Sequence, residues 1–413
     1  MNVSTALIFG ATLGATVACS QSSVEGENGP TPPTSPPSEE AGAVSDAASD
    51  APPSSSPSDG GVSDVQLHPD APMTTDAGDA GSSSGPPVLP GTQTPVDPGM
   101  TTAAIQSVID SVGSGNTVVF APGTYPGPFT IRSGVYLYSS TNGGAVVQGT
   151  LDGTGANGWT VNGFTVDGAL VQASSSSGAR ITRCTFDTGT DIGDGFGAGS
   201  IRGAGANHLT VDHNAFNGVS GTTVQFWNLD DSTVTLNTFT NCRQGIDPDF
   251  SEGGHGNDTL TSNYFTGTSR MPIETSSGGA SGFTFSNIVV TGNWAESFVW
   301  PSTGDTSGNV AYSIVGGDGV LNATISGNTV LGNGSIGIGI ELNQTGTVTG
   351  NRIDDIGYSG VEVYAASGFD VENNDITNCA VEVGNYQNGA GTIQDNEDAS
   401  VHPSKPVTGP SAP

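Results

Sequence analysis

Short segments of alternating apolar and polar residues, closed by glycine, serine or asparagine, fill the chain from about residue 115 onward. Valine, isoleucine, threonine and phenylalanine dominate them, which is typical of half-buried β-strands. One asparagine recurs in the same local setting, at Asn214, Asn237, Asn263, Asn293, Asn328, Asn351, Asn374 and Asn396. The intervals are 23, 26, 30, 35, 23, 23 and 22 residues. This repeat, without helical segments, predicts stacked coils in an all-β, right-handed parallel β-helix.

The repeated asparagine has a structural interpretation. Successive coils place the same turn about 4.8 Å above its predecessor. An asparagine there tolerates left-handed backbone, and its amide can hydrogen-bond to the copies above and below. We therefore predict an asparagine ladder without a catalytic role. Segments around Gly163 and Cys184 fit the same frame, so the coils begin before the first asparagine.

A short amphipathic helix is predicted ahead of the coils. Apolar residues recur at helical spacing at Ile105, Val108, Ile109 and Val112, and a helix here would cover the open end of the first coil. This helix and the following Thr-Val-Val-Phe-Ala-Pro-Gly-Thr-Tyr at 117–125 resemble the opening of the pectate lyase-like superfamily. The resemblance covers about residues 97–400 and implies the same parallel β-helix. The superfamily contains lyases, hydrolases, epimerases and adhesins without activity, so the fold does not select the function.

The N-terminal part of the chain predicts export rather than a fold. Residues 1–19 form a short apolar run ending in small residues and Cys19, typical of a lipoprotein signal peptide with Cys19 as the lipidated residue. Residues 20–98 contain no Lys or Arg and predict a disordered tether. The β-helix domain is assigned to residues 99–400 and a disordered tail to residues 401–413. We expect a monomeric envelope lipoprotein, on the outer surface or in the periplasm, touching the membrane only through Cys19.

The charge and the cysteine content limit the expected binding partners and disulfide bonds. The net charge of −32, from 40 acidic and 8 basic residues, disfavours nucleic acid, which requires clustered Lys and Arg. The negative charge also disfavours binding of a polyanion unless calcium or a local arginine cluster intervenes. The other cysteines, Cys184, Cys242 and Cys379, lie on coils too far apart for disulfides, so we predict buried free thiols.

One strand position carries acids on several coils. Alignment of Gly-Ile-acid and related segments gives the column Gln225, Asp247, Glu274, Glu341, Glu362 and Glu382. Strand alternation predicts that these side chains face solvent, with Trp227, Asp249 and Tyr364 in a parallel column two residues on. Small residues two positions earlier, such as Gly245, would leave a groove for an extended chain. The alternative is that outward positions are simply polar.

Arginines and a short motif accompany two of these acids. Arg243 lies four residues before Asp247, and Arg270 lies four before Glu274, although the chain has only seven arginines. Such placement indicates a site, with simple charge compensation as the alternative. The segment Asp247-Pro-Asp249 resembles the Asp-Pro-His motif of mannuronan C5-epimerases, with Asp249 in place of the histidine. His255 could enter from the following turn, where Gly-His-Gly also resembles a polygalacturonase motif, or serve only as a turn residue.

Three chemistries use the same catalytic candidates. Hydrolysis needs one protonated and one ionised carboxyl, which Asp247 and Glu274, or the wider pair Asp249 and Glu274, would supply. Lyase or epimerase chemistry needs the substrate carboxylate neutralised by arginine or by Ca²⁺, and the same three acids would hold Ca²⁺. Arg243 and Arg270 are the candidate arginines. The proposed substrate-binding residues are Gln225, Trp227, Trp300, Glu341 and Tyr364, with the aromatic ones as stacking platforms for sugar rings.

These observations predict an exported polysaccharide-active enzyme that cleaves glycosidic bonds by lyase or hydrolase chemistry. The alternatives are a carbohydrate-binding adhesin without activity and a uronan C5-epimerase.

Overall fold

A computed structural model describes residues 88–187, 200–249, 255–275, 285–297, 320–332, 336–341, 345–364, 366, 368–385, 389 and 391–398. The predicted signal peptide with Cys19, most of the tether, Trp300 and the C-terminal tail lie outside these residues. No helix in the described part of the chain is long and apolar enough to cross a membrane.

The predicted capping helix is confirmed as α1 (Thr102–Ser111). The Thr101 side chain accepts a hydrogen bond from the N–H of Ala104 at 3.2 Å, and Ile105 and Ile109 are buried. A strand of the β-helix, Gln93–Val96, precedes this helix and pairs with Thr117–Phe120. Residues 93–98 therefore belong to the ordered domain, and their assignment to the tether was wrong. Pro95 obscured the strand, since proline is tolerated mainly in edge strands such as this one.

Each coil contributes strands to parallel sheets, and the chain visits the first, second and third sheet in turn. The first sheet contains β1 (Gln93–Val96), β2 (Thr117–Phe120), β5 (Tyr136–Ser139), β8 (Thr160–Asn162), β11 (Arg180–Thr182), β14 (Thr210–Asp212), β17 (Thr233–Thr235), β20 (Thr259–Thr261), β23 (Val289–Thr291), β26 (Ala323–Ser326), β29 (Thr345–Thr349), β32 (Gly368–Glu372) and β35 (Ile393–Gln394).

The second sheet contains β3 (Gly123–Tyr125), β6 (Ala145–Val147), β9 (Thr165–Asp167), β12 (Thr185–Asp187), β15 (Ala215–Asn217), β18 (Thr238–Thr240), β21 (Tyr264–Thr266), β24 (Trp294–Glu296), β27 (Thr329–Leu331), β30 (Arg352–Asp354), β33 (Asp375–Thr377) and β36 (Glu397–Asp398). The third sheet contains β4 (Phe129–Thr130), β7 (Leu151–Asp152), β10 (Val171–Gln172), β13 (Ile201–Ala204), β16 (Thr222–Trp227) and β19 (Gln244–Asp249). At the same place in later coils lie β28 (Ile336–Glu341), β31 (Ser359–Tyr364) and β34 (Val381–Asn385), and β22 (Phe285–Ser286) pairs separately with β25 (Val320–Leu321). This architecture confirms the predicted parallel β-helix.

Inward side chains of like kind stack along the axis of the helix. Phe186, Phe216, Phe239 and Phe265 lie one above another in the second sheet, with ring centroids 4.6–4.8 Å apart. All four side chains are buried. The strand spacing of about 4.8 Å sets this distance, so stacked aromatic packing follows directly from the coil repeat.

The asparagine ladder runs through the turn between the first and second sheets. Asn263 Nδ2 donates to Asn293 Oδ1 and to the Val234 carbonyl, both at 3.0 Å. The same asparagine-to-asparagine bond recurs along the series from Asn214 to Asn396. Left-handed backbone occurs at the residue before each asparagine, as at Ser262 (φ 55°) and Gly292 (φ 63°). The expectation that the asparagine supplies that conformation was wrong; its contribution is the amide.

The cysteine prediction is confirmed in part. Cys184, Cys242 and Cys379 are free, and the first two are buried. Burial raises the pKa of the Cys184 thiol to about 12. Cys379 is only half-buried, so the expectation that all three thiols are buried was wrong.

Candidate functional site

The third sheet places the predicted acids on adjacent coils. In the register of β16 with β19, Gln225 pairs with Asp247 and Trp227 pairs with Asp249. Ile246 pairs with Ile273 on the next coil, so Glu274 follows Asp247 in the same column. The structure therefore brings Gln225, Asp247 and Glu274 together on one face.

The two central acids are enclosed rather than open to solvent. Asp247 is 8% exposed, and the Glu274 side chain is 14% exposed. The Oδ1 atom of Asp247 is buried without a hydrogen-bond partner among the described residues. The expectation that these acids face solvent was wrong for this pair. A carboxyl group that is almost inaccessible to solvent and has an oxygen without a hydrogen-bond partner is unusual outside a ligand-binding or catalytic site.

Gln244 connects this pair to an arginine, and its part in the site was not predicted from the sequence. Its Oε1 accepts from Arg270 Nη1 at 2.6 Å, and its Nε2 donates to Glu274 Oε2 at 2.5 Å. Arg270 Nη2 also lies 3.4 Å from Glu274 Oε2. Gln244 is fully buried, so its amide is a fixed part of the site.

Strand alternation fails at this point, which explains the omission. Gln244 and Asp247 are an odd number of residues apart, yet both interact with Glu274. A Cβ at Gly245, between them, would lie 2.3 Å from the Pro272 carbonyl oxygen and 2.5 Å from the Phe265 ring. That side of residue 245 faces the packed interior, so the predicted role of Gly245 as a groove-lining residue was wrong.

Electrostatics separate the two acids. Burial raises the pKa of Asp247 well above its usual value, and the charges of Glu274 and Asp249 raise it further. Burial also raises the pKa of Glu274, but the charge of Arg270 and the Gln244 hydrogen bond oppose that rise. Arg270 and Gln244 lower the pKa of Asp247 as well, but they rank behind its burial and the two neighbouring carboxylates, so Asp247 is the more strongly shifted of the two acids.

The other charged candidates differ in their relation to the pair. The charge of Asp249 raises the pKa of both central acids, and the charge of Arg243 lowers the pKa of Glu274, so both act on the pair electrostatically. His255 lies in the turn after β19, with Nδ1 3.9 Å from Asp230 Oδ2. In the structure this histidine is thus associated with Asp230.

Trp227 has a cationic neighbour that the sequence analysis also missed. The guanidinium carbon of Arg202 lies 5.2 Å from the centre of the Trp227 ring. Arg202 pairs with Gln225 across β13 and β16, so it belongs to the same column as Asp247. It could not be found from the repeat, because the third-sheet strand of its coil lies ahead of the first ladder asparagine.

The predicted continuation of the acid column is retained at Glu362, but the positions predicted for Glu341 and Glu382 were wrong. In the register, Glu362 pairs with Gly339 and Gly384, and Glu341 pairs with Tyr364. Gly339 and Glu362 each lie eleven residues after their ladder asparagine, as Gln225 and Glu274 do. The fixed length of chain between ladder and strand sets the register, and the alignment of Gly-Ile-Glu segments ignored it. Trp300 lies outside the described residues.

The placed acids do not fit a calcium ion. No group of three Asp, Glu, His or Cys side chains in the described segments has a geometry that could hold a metal. Glu274 Oε2 already accepts a hydrogen bond from Gln244 and lies next to Arg270. It would have to lose both contacts in order to bind a cation.

Comparisons with known proteins show the same architecture. A family model described as a right handed beta helix region matches residues 251–399. A mannuronic acid specific polysaccharide family 6 lyase from the human gut microbiota is 17% identical, with a TM-score of 0.53 over 74% of this chain and 78% of that one. No curated protein matches the chain.

Two further structures share the architecture at lower similarity. The A-module of the mannuronan C-5 epimerase AlgE4 of Azotobacter vinelandii is 16% identical, with a TM-score of 0.49 over 72% and 97% of the two chains. The Streptococcus pneumoniae adhesin PfbA is 14% identical, with a TM-score of 0.48 over 74% and 99%. At such identities the likeness shows the fold alone, a right-handed parallel β-helix.

Proposed function

We propose that this protein is an exported, lipid-anchored enzyme that cleaves glycosidic bonds of a polysaccharide at the third-sheet acid pair, Asp247 and Glu274. The observation that supports it best is the unequal state of two adjacent carboxyls. One is buried with a raised pKa and an unpartnered oxygen, and the other is held beside Arg270 by Gln244.

A hydrolytic mechanism follows from this pair. Asp247, protonated, donates its proton to the glycosidic oxygen as the bond to the anomeric carbon breaks. Glu274, ionised, stabilises or attacks that carbon from the next coil. Water then adds to the same carbon, returns a proton to Asp247 and leaves Glu274 free. Adjacent parallel strands hold their backbones about 4.8 Å apart, close to the roughly 5 Å carboxyl separation of retaining glycosidases. Asp249 favours the protonated form of Asp247 through its charge.

Lyase chemistry is the second candidate because two arginines act on the same pair. Arg270 lies 3.4 Å from Glu274, and the charge of Arg243 also reaches Glu274. If a uronate carboxylate displaced Glu274 from Arg270, the released Glu274 could take the proton from C5 of that residue. The C4=C5 double bond would then form as the C4–O bond breaks, and the leaving oxygen would take a proton from Asp247.

The test compares Asp247→Asn and Glu274→Gln with the unchanged protein on a panel of uronans and neutral glycans. Each substitution should lower turnover by about 10²–10⁴-fold while binding persists, because acid–base groups contribute on that scale. The matched control is Asp167→Asn on the second sheet, which should keep its activity. New reducing ends alone indicate hydrolysis, and unsaturated products that absorb in the ultraviolet indicate a lyase.

The competing class makes the opposite prediction. A carbohydrate-binding adhesin would bind a glycan but release no product from any of the panel, and Asp247→Asn would change nothing measurable. An unmodified protein that is inert on every substrate would therefore refute the enzyme proposal.

A further inference from the structure

Two aromatic side chains stand on the outward face of the second sheet, away from the acid pair. Tyr264 in β21 pairs in register with Trp294 in β24 on the next coil. Their inward neighbours, Phe265 and Ala295, are fully buried, so alternation directs Tyr264 and Trp294 outward. Both rings remain partly exposed, whereas the residues flanking them in the column are Thr238 and Thr329.

One carboxylate holds the polar atoms of both rings. Tyr264 donates its hydroxyl proton to Glu296 Oε1, and Trp294 Nε1 donates to Glu296 Oε2 at 3.0 Å. Burial, together with this bond to Glu296, raises the pKa of the Tyr264 phenol to about 12. The phenol and indole are therefore fixed in orientation, and the ring surfaces are what they offer to a ligand.

Folding does not require this arrangement. Thr238 and Thr329 occupy the same column on neighbouring coils, so a small polar side chain satisfies the outward position. Exposed aromatic surface costs free energy in water unless something covers it. Rings already held in place lose little conformational entropy on binding, which favours their use in recognition.

The surroundings favour a sugar over an apolar partner. Thr266 lies beside Glu296 in the second outward column, and Thr329 follows Trp294 in the first. Hydroxyl groups next to fixed rings suit a pyranose, whose C–H face stacks on an aromatic ring while its hydroxyls form hydrogen bonds at the rim. A lipid surface or an apolar peptide would require a larger continuous apolar patch than two rings.

We propose that Tyr264 and Trp294, fixed by Glu296, form a second carbohydrate-binding site that stacks pyranose rings of a polysaccharide chain. The inference rests on the proposed function for its ligand class, but it concerns a different sheet and different residues. Its role would be to retain a long polymer beside the acid pair, so short oligosaccharides would not depend on it.

Native gel electrophoresis in gels that contain alginate, polygalacturonate, xylan or a soluble β-glucan tests the site. The unchanged protein should be retarded in at least one gel. Trp294→Ala should weaken that retardation by about tenfold in apparent Kd, the effect of losing one well-packed aromatic contact. Thr185→Ala, on the same column three coils before Tyr264, should bind as the unchanged protein does.

Two additional variants keep the result interpretable. Trp294→Leu retains an apolar side chain on the strand but no ring, and should show the same loss if Trp294→Ala fails to fold. Glu274→Gln should lose turnover yet keep its retardation, so failure of the enzyme proposal is separable from failure of this one. Normal retardation of a folded Trp294→Leu protein, or no retardation of the unchanged protein in any gel, would overturn the second site.

Discussion

Asp258 is the most unusual ionisable residue outside the candidate site. It is fully buried at a position where the neighbouring coils carry Ser232 and Ile288. Its Oδ1 accepts the N–H of Ser232 at 2.9 Å, and its Oδ2 has no partner among the described residues. Burial raises the pKa of Asp258 to about 8, and the charges of Asp230 and Asp231 contribute further. The folded protein therefore holds this carboxyl neutral at pH 7.

The raised pKa makes stability depend on pH in a defined direction. The unfolded chain loses the Asp258 proton near pH 4, whereas the folded chain keeps it until about pH 8. Between these values the folded state binds one proton more, so this residue makes unfolding easier as pH rises, by about 1.4 kcal/mol per unit. Below the unfolded pKa its contribution is fully present; above the folded pKa it is lost.

Asp258→Asn should remove this dependence, because an amide has nearly the shape of the neutral carboxyl and no charge. Relative to the unchanged protein, its unfolding free energy should rise by about 1.4 kcal/mol for each pH unit between about 5 and 7. Denaturant titrations at several pH values measure the difference, and other titrating groups cancel in the comparison. Parallel pH profiles for the two proteins would contradict the assignment.

At the level of single residues, the positions of side chains could be predicted from the sequence where the repeat was intact. Asp247 and Glu274 could be aligned because ten or eleven residues separate each from its ladder asparagine. Gln244 was missed because side-chain alternation breaks between it and Asp247. Asp258 was missed for another reason: burial of an acid at a turn depends on neighbouring coils, and its own segment reads as a polar loop.

Among the repeated elements, the asparagine ladder makes the clearest contribution to the stability of the fold. Asn293 Oδ1 accepts from the N–H and the Nδ2 of Asn263, while its own Nδ2 donates to Asn328 and to the Leu260 carbonyl. All three asparagines are buried. Removing one member leaves buried donors and acceptors without partners on both neighbouring coils, and each such group costs about 1–3 kcal/mol.

Asn293→Ala should therefore lower the unfolding free energy by about 3 kcal/mol or more, through two or more orphaned groups. Asn217→Ala is the matched control, because Asn217 is exposed and its bond to Asp187 lies at the surface. Its effect should stay within about 0.5 kcal/mol. Equal destabilisation of the two variants would show that the ladder is not the source of the effect.

The strands themselves were easier to predict than their register. Alternating β-branched residues identified the coils, and the ladder spacing fixed the fold. The error at Glu341 and Glu382 arose because similar strand segments were matched to one another instead of to the ladder. A shift of two residues preserves the buried pattern of a strand, so hydrophobicity alone does not reveal it.

At the scale of the whole molecule, the high net negative charge is the main feature that opposes folding. A net charge of −32 places many like charges on one chain, and their repulsion opposes the compact state. Sodium chloride screens such repulsion, with a Debye length of about 30 Å at 0.01 M and about 8 Å at 0.15 M. The melting temperature should rise by a few degrees over this range, as differential scanning calorimetry would record.

Calcium chloride at the same ionic strength is the control for that measurement. Because the placed acids form no metal site among the described residues, calcium should stabilise the protein no more than sodium does. A larger increase that a chelator reverses would reveal a specific site and contradict the expectation.

The acid pair straddles the junction between two successive coils, since Asp247 belongs to one and Glu274 to the next. Lineages of coiled proteins gain and lose whole repeats, and most such events would leave this junction untouched. Insertion of a whole coil between them would put the partners two coils apart, beyond the reach of a shared sugar ring. Gain or loss of coils toward either end of the β-helix should thus be tolerated. The number of residues between Asp247 and Glu274 should stay nearly constant among related proteins that keep the same activity.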